Sequence, residues 1–483
     1  MRSVVVHGHF YQPPRENPWS DVVEPDPGAA PFTDWNTRIT HECYLPFATA
    51  RELDASGRVT ARTNLFEWTS FDAGPTLLRW LDTHAPDVHA AIVHADRESA
   101  RRLSGHGNAV AMPYHHVIFP LASRRDKVTE VRWGLADFRR RFGRNAEGMW
   151  LPETAVDEDT LVVLAEEGLR FTILAPHQVD DPPENGAPLR FAAGGGRELA
   201  LFAYDGALSH GVAFGELLED GDVLAEHLSG TAPGLPRPAR RGALSLKSIA
   251  TDGETFGHHR TFTEMALARA IGRLRQDPRV RVENFASVLA RLPARVNARL
   301  VEDTAWSCPH GIERWRSNCG CRATPGTSQE WRRPLRAALN WLARELDARY
   351  TQEGAAYFSD EPWRVRDAFG TVAALPLDAR REFVRTQLLP GADTGRALRL
   401  LECMGARLGM FGSCAWFFDD VAGHEAQLML RLAAYALDKI HDNALEKEFI
   451  ERLAFARSND PAEGDGARAY RAHALSMRAA AVT

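Results

Sequence analysis

The chain has 483 residues, 44% hydrophobic and 25% charged, with a formal net charge of -6. That length exceeds one ordinary domain and suggests a barrel of roughly 250 residues plus a second region, and the acidic balance argues against a partner bound through nucleic-acid phosphates. Six cysteines are no disulfide framework, no run of about 18 apolar residues is present to span a bilayer, and the first residues enter a strand without an apolar leader pattern, so no membrane partner and a cytoplasmic location are expected.

Residues 3–9 are a β-rich run ending in His7-Gly8-His9-Phe10-Tyr11-Gln12-Pro13-Pro14, and two histidines at spacing two point the same way from an extended backbone. A Pro-rich, acidic loop follows to residue 32. A second strand is expected over 60–66, then helices over 76–102, then a strand-to-loop passage over 103–116 that carries His115 and His116. Val128, Val131, Leu135, Phe138 and Phe142 mark one amphipathic helix, and Leu161, Leu164 and Ala165, closed by Gly168, mark another. Between them Gly148-Met149-Trp150-Leu151-Pro152-Glu153 reads as a strand running into a loop. This places Glu153 at the strand's carboxyl end, held by the restricted backbone around Pro152 and beside the flat apolar face of Trp150.

Further strands are expected over 169–174, 198–204 and 244–250, with Pro- and Gly-rich surface loops over 180–195 and 231–241. The strand over 244–250 ends in Thr251-Asp252-Gly253-Glu254-Thr255-Phe256-Gly257-His258-His259, so Asp252 occupies the same kind of position as Glu153, and the two could face each other across one site. Strands alternating with helices imply a parallel sheet, and at this number of units a closed or nearly closed barrel is preferred to an open sheet.

Beyond about residue 300 the pattern is helical only, with stripes at Trp331, Leu335, Leu339, Leu342 and Leu346 and over 379–389, 397–408 and 425–455. The division is therefore 1–300 and 301–483. Cys308-Pro309-His310 and Cys319-Gly320-Cys321 admit three readings: reduced thiols in a tight loop, a tetrahedral metal site such as structural zinc, or a disulfide or redox pair. Ser413-Cys414-Ala415-Trp416-Phe417-Phe418-Asp419-Asp420 is either a buried aromatic helix end or an aromatic and acidic wall for the first region, with Trp416 and Asp419 as its substrate-facing members.

The His7-to-Pro13 run, Trp150-Leu151-Pro152-Glu153 and Asp252-to-His258 together resemble the signature regions of glycoside hydrolase family 57, which includes α-amylases, 4-α-glucanotransferases and α-glucan branching enzymes. Phe10 and Tyr11 intervene between His9 and Gln12, where the commoner form of the family reads His-x-His-Gln-Pro. The resemblance covers roughly residues 1–300 and implies an incomplete (β/α)7 barrel and a retaining mechanism, with Glu153 as nucleophile and Asp252 as general acid/base. Such chemistry needs two carboxyl groups about 5–5.5 Å apart, one ionised and one protonated.

The resemblance further implies that His7 and His9 contact sugar, with Trp150 as a stacking platform and His115 as another contact. Glu254 and His258 follow Asp252 closely enough to orient it, or serve packing alone. Residues 308–416 resemble an uncharacterised helical domain that follows the barrel in some members, and 416–420 is similar to a signature segment that closes the barrel mouth. The expected function is a retaining α-glycosidase or transglycosylase on α-1,4-glucans or maltooligosaccharides, with no cofactor needed for catalysis. Two alternatives are a metal-dependent polysaccharide deacetylase, with His7, His9 and Asp252 holding a cation, and an inactive glycan-binding protein. The former leaves Glu153 without a role, and the latter leaves both carboxylates without one.

Overall fold

A computed structural model describes residues 1–54, 56–233 and 244–482. Its strands are β1 (Arg2–Phe10), β2 (Ala50–Leu53), β3 (Val59–Thr63), β4 (Ser70–Ala73), β5 (Ala109–Val110), β6 (Gly148–Met149), β7 (Phe171–Leu174), β8 (Leu189–Gly194), β9 (Arg197–Ala203), β10 (Ser245–Asp252), β11 (Val280–Val282) and β12 (Val296–Asn297). β1 is the hub. It pairs in parallel with β10 on one side and β4 on the other, β11 pairs with its first residues, and β4 pairs with β5. Val4, Val5 and Val6 are no more than 1% exposed, the run of β-branched residues required where both faces of a parallel strand are covered.

A second group runs β6–β7–β9 in parallel, with β8 antiparallel to β9 and β12 beyond it. The two groups are continuous, because Ala111 N donates to Gly148 O at 3.1 Å and Trp150 N to Ala111 O at 2.8 Å. At the far end Asp205 N, just past β9, donates to Ser248 O of β10 at 2.8 Å. The fold is thus α/β with mixed sheets, and a parallel path β10–β1–β4–β5–β6–β7–β9 bends until its ends meet. Amphipathic helices fill the crossovers. The helix Arg124–Phe142, for example, is capped by the Ser123 side chain on Asp126 N and stopped by Gly143 in the left-handed region.

Four local expectations change. The run over 60–66 contributes only the exposed hairpin arm β3, and the strand that extends the sheet is β4, fully buried and too short to show any alternation. The helical stretch 76–102 is two helices, Pro75–His84 and Pro86–Arg102, because Pro86 has no N–H to continue the first. The loop over 180–195 contains β8, whose Leu189 and Phe191 are buried. The stripe over 425–455 breaks at His441, at φ 57°, into His424–Ile440 and Asn443–Leu453. From residue 234 on, the loop expected over 231–241 lies outside the described residues.

From Arg332 the described residues form helices only. The Trp331, Leu335, Leu339, Leu342 and Leu346 stripe is buried in a core that also takes in Ile118, Trp133 and Ala155 from the first region. A buried ion network fastens the two regions. Asp126 accepts from Arg366 Nη1 at 2.9 Å and Arg407 Nη1 at 2.8 Å, Arg407 reaches Asp347 at 2.7 Å, and Arg366 Nη2 donates to Thr129 Oγ1 at 2.6 Å. Among the described residues no helix is long and apolar enough to cross a membrane.

Asp126→Ala leaves the buried Arg366 without a carboxylate and Arg407 with Asp347 alone, a loss expected to cost about 3–5 kcal/mol. Denaturant titration should show this as one earlier transition for both regions, and a stability like the parent's would mean that the network does not hold them together.

Candidate active site

The site is built outward from β1. Parallel register sets His7 beside Ser70 and His9 beside Asp72 on one flank, and His9 beside Asp252 on the other. His7 uses both ring nitrogens, on Ser70 Oγ at 3.0 Å and Asp72 Oδ1 at 2.9 Å, and His9 Nδ1 meets Asp72 Oδ2 at 2.7 Å. Asp72 is fully buried. Burial alone would raise its pKa, but the His9 charge and the hydrogen bonds from His7 and His9 hold it below the usual carboxylate range. Burial likewise works against a charged His9, yet Asp72, with Asp252 and Glu254, lifts its pKa from 6.5 to about 9. His9 is therefore an imidazolium at neutral pH.

The charge state of His9 orients the hydrogen bonds beyond it. His116 is held neutral by burial and by the His9 charge. His9 Nε2 accordingly donates to His116 Nε2 at 3.2 Å, leaving the His116 proton on Nδ1, from which it reaches Ser413 Oγ at 2.6 Å; Ser413 then donates to Glu153 Oε1 at 3.3 Å. The other carboxylate oxygen, Glu153 Oε2, accepts from Ser307 Oγ at 2.6 Å and Trp306 Nε1 at 3.2 Å. Three donors thus address the two Glu153 carboxylate oxygens.

Glu153 sits in the turn Pro152–Thr154 after β6, with φ 57° at Glu153 and 49° at Thr154. Left-handed backbone at consecutive non-glycine residues costs on the order of 1–3 kcal/mol each. The surroundings enforce it: Trp306 N donates to Glu153 O at 3.0 Å, and Gln178 both accepts from Thr154 Oγ1 and donates to Thr154 O at 2.8 Å.

Asp252 ends β10 in a contrasting environment. Burial raises its pKa, His9 opposes, and Glu254, Glu153 and Asp72 add to the rise, to about 7. Tyr204 lies alongside, its hydroxyl pushed up by burial and by Asp252. Glu254 accepts from Tyr44 Oη at 2.6 Å and Tyr11 N at 3.2 Å, which fixes the turn beyond Asp252. In that turn Gly253 is required, since a Cβ there would lie 2.2 Å from the Phe10 ring. One cavity of about 970 Å³ has in its walls His9, His116, Glu153, Asp252 and Glu254, the rings of Tyr11, Trp35, Tyr204 and Trp306, and Ser413, Cys414, Phe417 and Phe418 from the helical region.

The family profile for glycosyl hydrolase family 57 matches residues 63–297, the stretch that contains Asp72, Glu153 and Asp252. Over that stretch, just under half of its length, the chain is similar to family 57. Residues 328–482 match a domain of unknown function, DUF3536. No curated protein matches the sequence. Among solved structures the chain resembles an exo-type maltose-forming amylase from Pyrococcus sp. ST04, at 15% identity and a TM-score of 0.71, over 94% of this chain and 83% of that one. It also resembles a family 57 branching enzyme from Pyrococcus horikoshii, at 14% identity and a TM-score of 0.59, over 93% of this chain and 94% of the other. A 4-α-glucanotransferase from Thermococcus litoralis aligns at 13% identity and a TM-score of 0.54, over 90% of this chain and 59% of that one. At these identities the likeness is one of fold.

Of the residues singled out from the sequence, Glu153, Asp252, His9, Glu254 and His258 line the cavity together. Five others do not. His7 is fully buried behind His9, and Trp150, also fully buried, stacks on His7 and His9 at 4.7 and 5.3 Å, so its face is covered by histidine and Trp306 supplies the accessible ring. His115 is tied to Glu130 at 2.8 Å, and its neighbour His116 lines the wall. Trp416 is buried in the helical core with its Nε1 on Arg332 O, whereas Asp419 accepts from Ala323 N and Thr324 N on the cysteine-bearing loop. Phe417 and Phe418 take the wall position instead.

A cation held by His7, His9 and Asp252 does not fit either. Both nitrogens of His7 and of His9 are committed to Ser70, Asp72 and His116, and His9 carries a proton on each. Sequence reading missed Asp72, His116, Trp306, Ser307 and Ser413. Of these His116 carried a signal as the second histidine of its pair, and Ser413 as the first residue of the segment read as a wall for the first region.

The raised pKa of His9 gives a signed prediction. A group with pKa about 9 in the fold and 6.5 as its ordinary value contributes its full stabilisation below about 6.5 and loses it as pH rises through about 9. NMR of ring-labelled histidine should show one resonance titrating near the upper value, falling well below it in Asp72→Asn. A His9 titrating at its ordinary value in the parent would contradict the pairing.

Proposed function

We propose that this chain is a family 57 enzyme, a retaining α-glycosidase or transglycosylase acting on α-1,4-glucans or maltooligosaccharides. One observation carries the reading: two carboxyl groups share a cavity in opposite environments, Glu153 ringed by three donors and Asp252 pushed up to about 7. That is the division of labour a double displacement needs. Asp252 gives its proton to the glycosidic oxygen as Glu153 attacks the anomeric carbon. The deprotonated Asp252 then takes a proton from water or a sugar hydroxyl, which displaces Glu153. Hydrolysis and transfer differ only in that acceptor. The faces of Tyr11, Trp306, Phe417 and Phe418 suit the apolar faces of pyranose rings, and the α-glucan class agrees with the amylase, glucanotransferase and branching activities named for the similar structures.

In this reading residues 1–300 are an incomplete (β/α)7 barrel, supported by the parallel strand path that closes at a single backbone hydrogen bond. Residues 301–483 complete the active site, supported by Ser413 on Glu153 and by Phe417 and Phe418 in the wall. No cofactor enters any step.

Incubation with amylose and maltoheptaose, read by chromatography and linkage analysis, should give α-linked products. Glu153→Gln should lose on the order of 10³-fold or more in kcat/KM with the fold intact, and azide added to Glu153→Ala should yield a glycosyl azide of inverted anomeric configuration. A chain inert on every α-glucan, or a Glu153→Gln variant of parental rate, would refute the assignment.

The acid role of Asp252 fixes the alkaline side of the pH profile. The protonated form is needed, so kcat/KM should decline as pH rises through about 7. Asp252→Asn should abolish that limb and spare activated aryl glycosides far more than glucans. Equal losses on both substrates would exclude the role.

A further inference from the structure

Outside the cavity, Cys308, His310, Cys319 and Cys321 converge until their ligand atoms all lie within 4.8 Å of one another. The separations have the pattern of a coordination shell: Cys308 Sγ lies 3.9 Å from both Cys319 Sγ and Cys321 Sγ and 4.0 Å from His310 Nδ1, and Cys321 Sγ lies 3.5 Å from His310 Nδ1. A tetrahedral zinc with bonds of about 2.3 Å to sulfur and about 2.0–2.1 Å to nitrogen spaces its ligands about 3.8 Å apart between sulfurs and about 3.5 Å from sulfur to nitrogen. A disulfide would need about 2.05 Å, and one disulfide would leave a third thiol and the imidazole idle.

A neighbouring charge points the same way. Arg332 is fully buried, yet among the described residues its guanidinium makes no ion pair with a carboxylate. Its Nη1 reaches Cys319 Sγ at 3.7 Å, and its Nε has no partner. Three thiolates and a neutral imidazole around a divalent ion leave one net negative charge, the counterion a buried guanidinium lacks here.

The loop that carries the cluster also reaches Glu153. Cys308 follows directly on Trp306 and Ser307, which hold the Glu153 carboxylate, and a bridge between Ala305 and Cys308 folds the four residues into one tight turn. Gly311, at φ +70°, lets the chain double back, since a Cβ there would meet Asp303 O at 2.1 Å.

We propose that Cys308, His310, Cys319 and Cys321 bind one zinc ion that anchors the turn presenting Trp306 and Ser307 to Glu153. The zinc site stands on its own geometry, whereas its importance for turnover rests on the role of Glu153 proposed above. The ion makes no contact with substrate. It acts on Glu153 only through the turn.

Full-length protein purified without chelator should contain close to one zinc per chain. Replacement by cobalt should give the intense visible bands of a tetrahedral thiolate complex, and Cys321→Ser should weaken or abolish them. Zinc removal should speed amide exchange of residues 303–309 roughly tenfold or more, with exchange of β1 unchanged and protection restored by adding zinc. Folded protein that takes up neither zinc nor cobalt overturns the site. Stoichiometric zinc whose removal leaves exchange of 303–309 unaltered overturns the anchoring. Zinc-dependent protection in a chain inert on glucans would sustain the inference and count against the glycosidase reading alone.

Discussion

The arrangement depends on a carboxylate that touches no cavity wall. Asp72, buried between two histidines, makes His9 a cation inside the protein. Without that negative charge the desolvation of His9 would leave the ring neutral, and the donor sequence through His116 and Ser413 to Glu153 would lose its direction. The same cation faces Asp252, where it opposes the upward push of burial and of three neighbouring acids. One buried ion pair thus bears on both Glu153 and Asp252, although Asp72 itself lies in the adjacent strand.

A buried pair is expensive to desolvate, and its retention makes physical sense where it organises other groups rather than where it adds stability. Two features share this character. The Asp126 network buries two guanidinium groups at the junction of the two regions, and the turn at Glu153 keeps consecutive non-glycine residues in the left-handed region. In the turn the opposing bonds come from Gln178 and Trp306, in segments well separated from it along the chain. Such strain persists only where the surroundings overdetermine it, and it holds the Glu153 carboxylate at one orientation.

The helical region is therefore part of the cavity's construction. Ser413 N bonds His116 O at 2.7 Å while Ser413 Oγ lies between His116 and Glu153. Phe417 and Phe418 extend the wall from the same segment, and Arg314 ties it to the turn after Glu153's donors through Phe417 O at 2.9 Å.

Local chemistry made much of this legible in the sequence. The alternation of β-branched runs with amphipathic stripes required an α/β first region, and the loss of strand pattern near residue 300 pointed to a helical one, whose α-helices begin only at Arg332 because residues 301–331 are turns and a short 3-10 helix. Glu153 and Asp252 stood out because strand ends bounded by Pro152 and Gly253 are local events, and the cysteines because soft ligands close in sequence stay close in space. What the tertiary structure decided is whatever depends on register and on which side of a packed element faces solvent. β4 is four buried residues without periodicity, so Asp72 became significant only when parallel pairing set it beside His9. Trp150 and Trp416 looked like binding faces, since a tryptophan is apolar in a sequence whether its ring is covered or open; packing covered both and left Trp306 and Phe417 in the wall. Ser413 is 260 residues from Glu153 along the chain, and no local pattern encodes a contact made only after two regions have folded against each other.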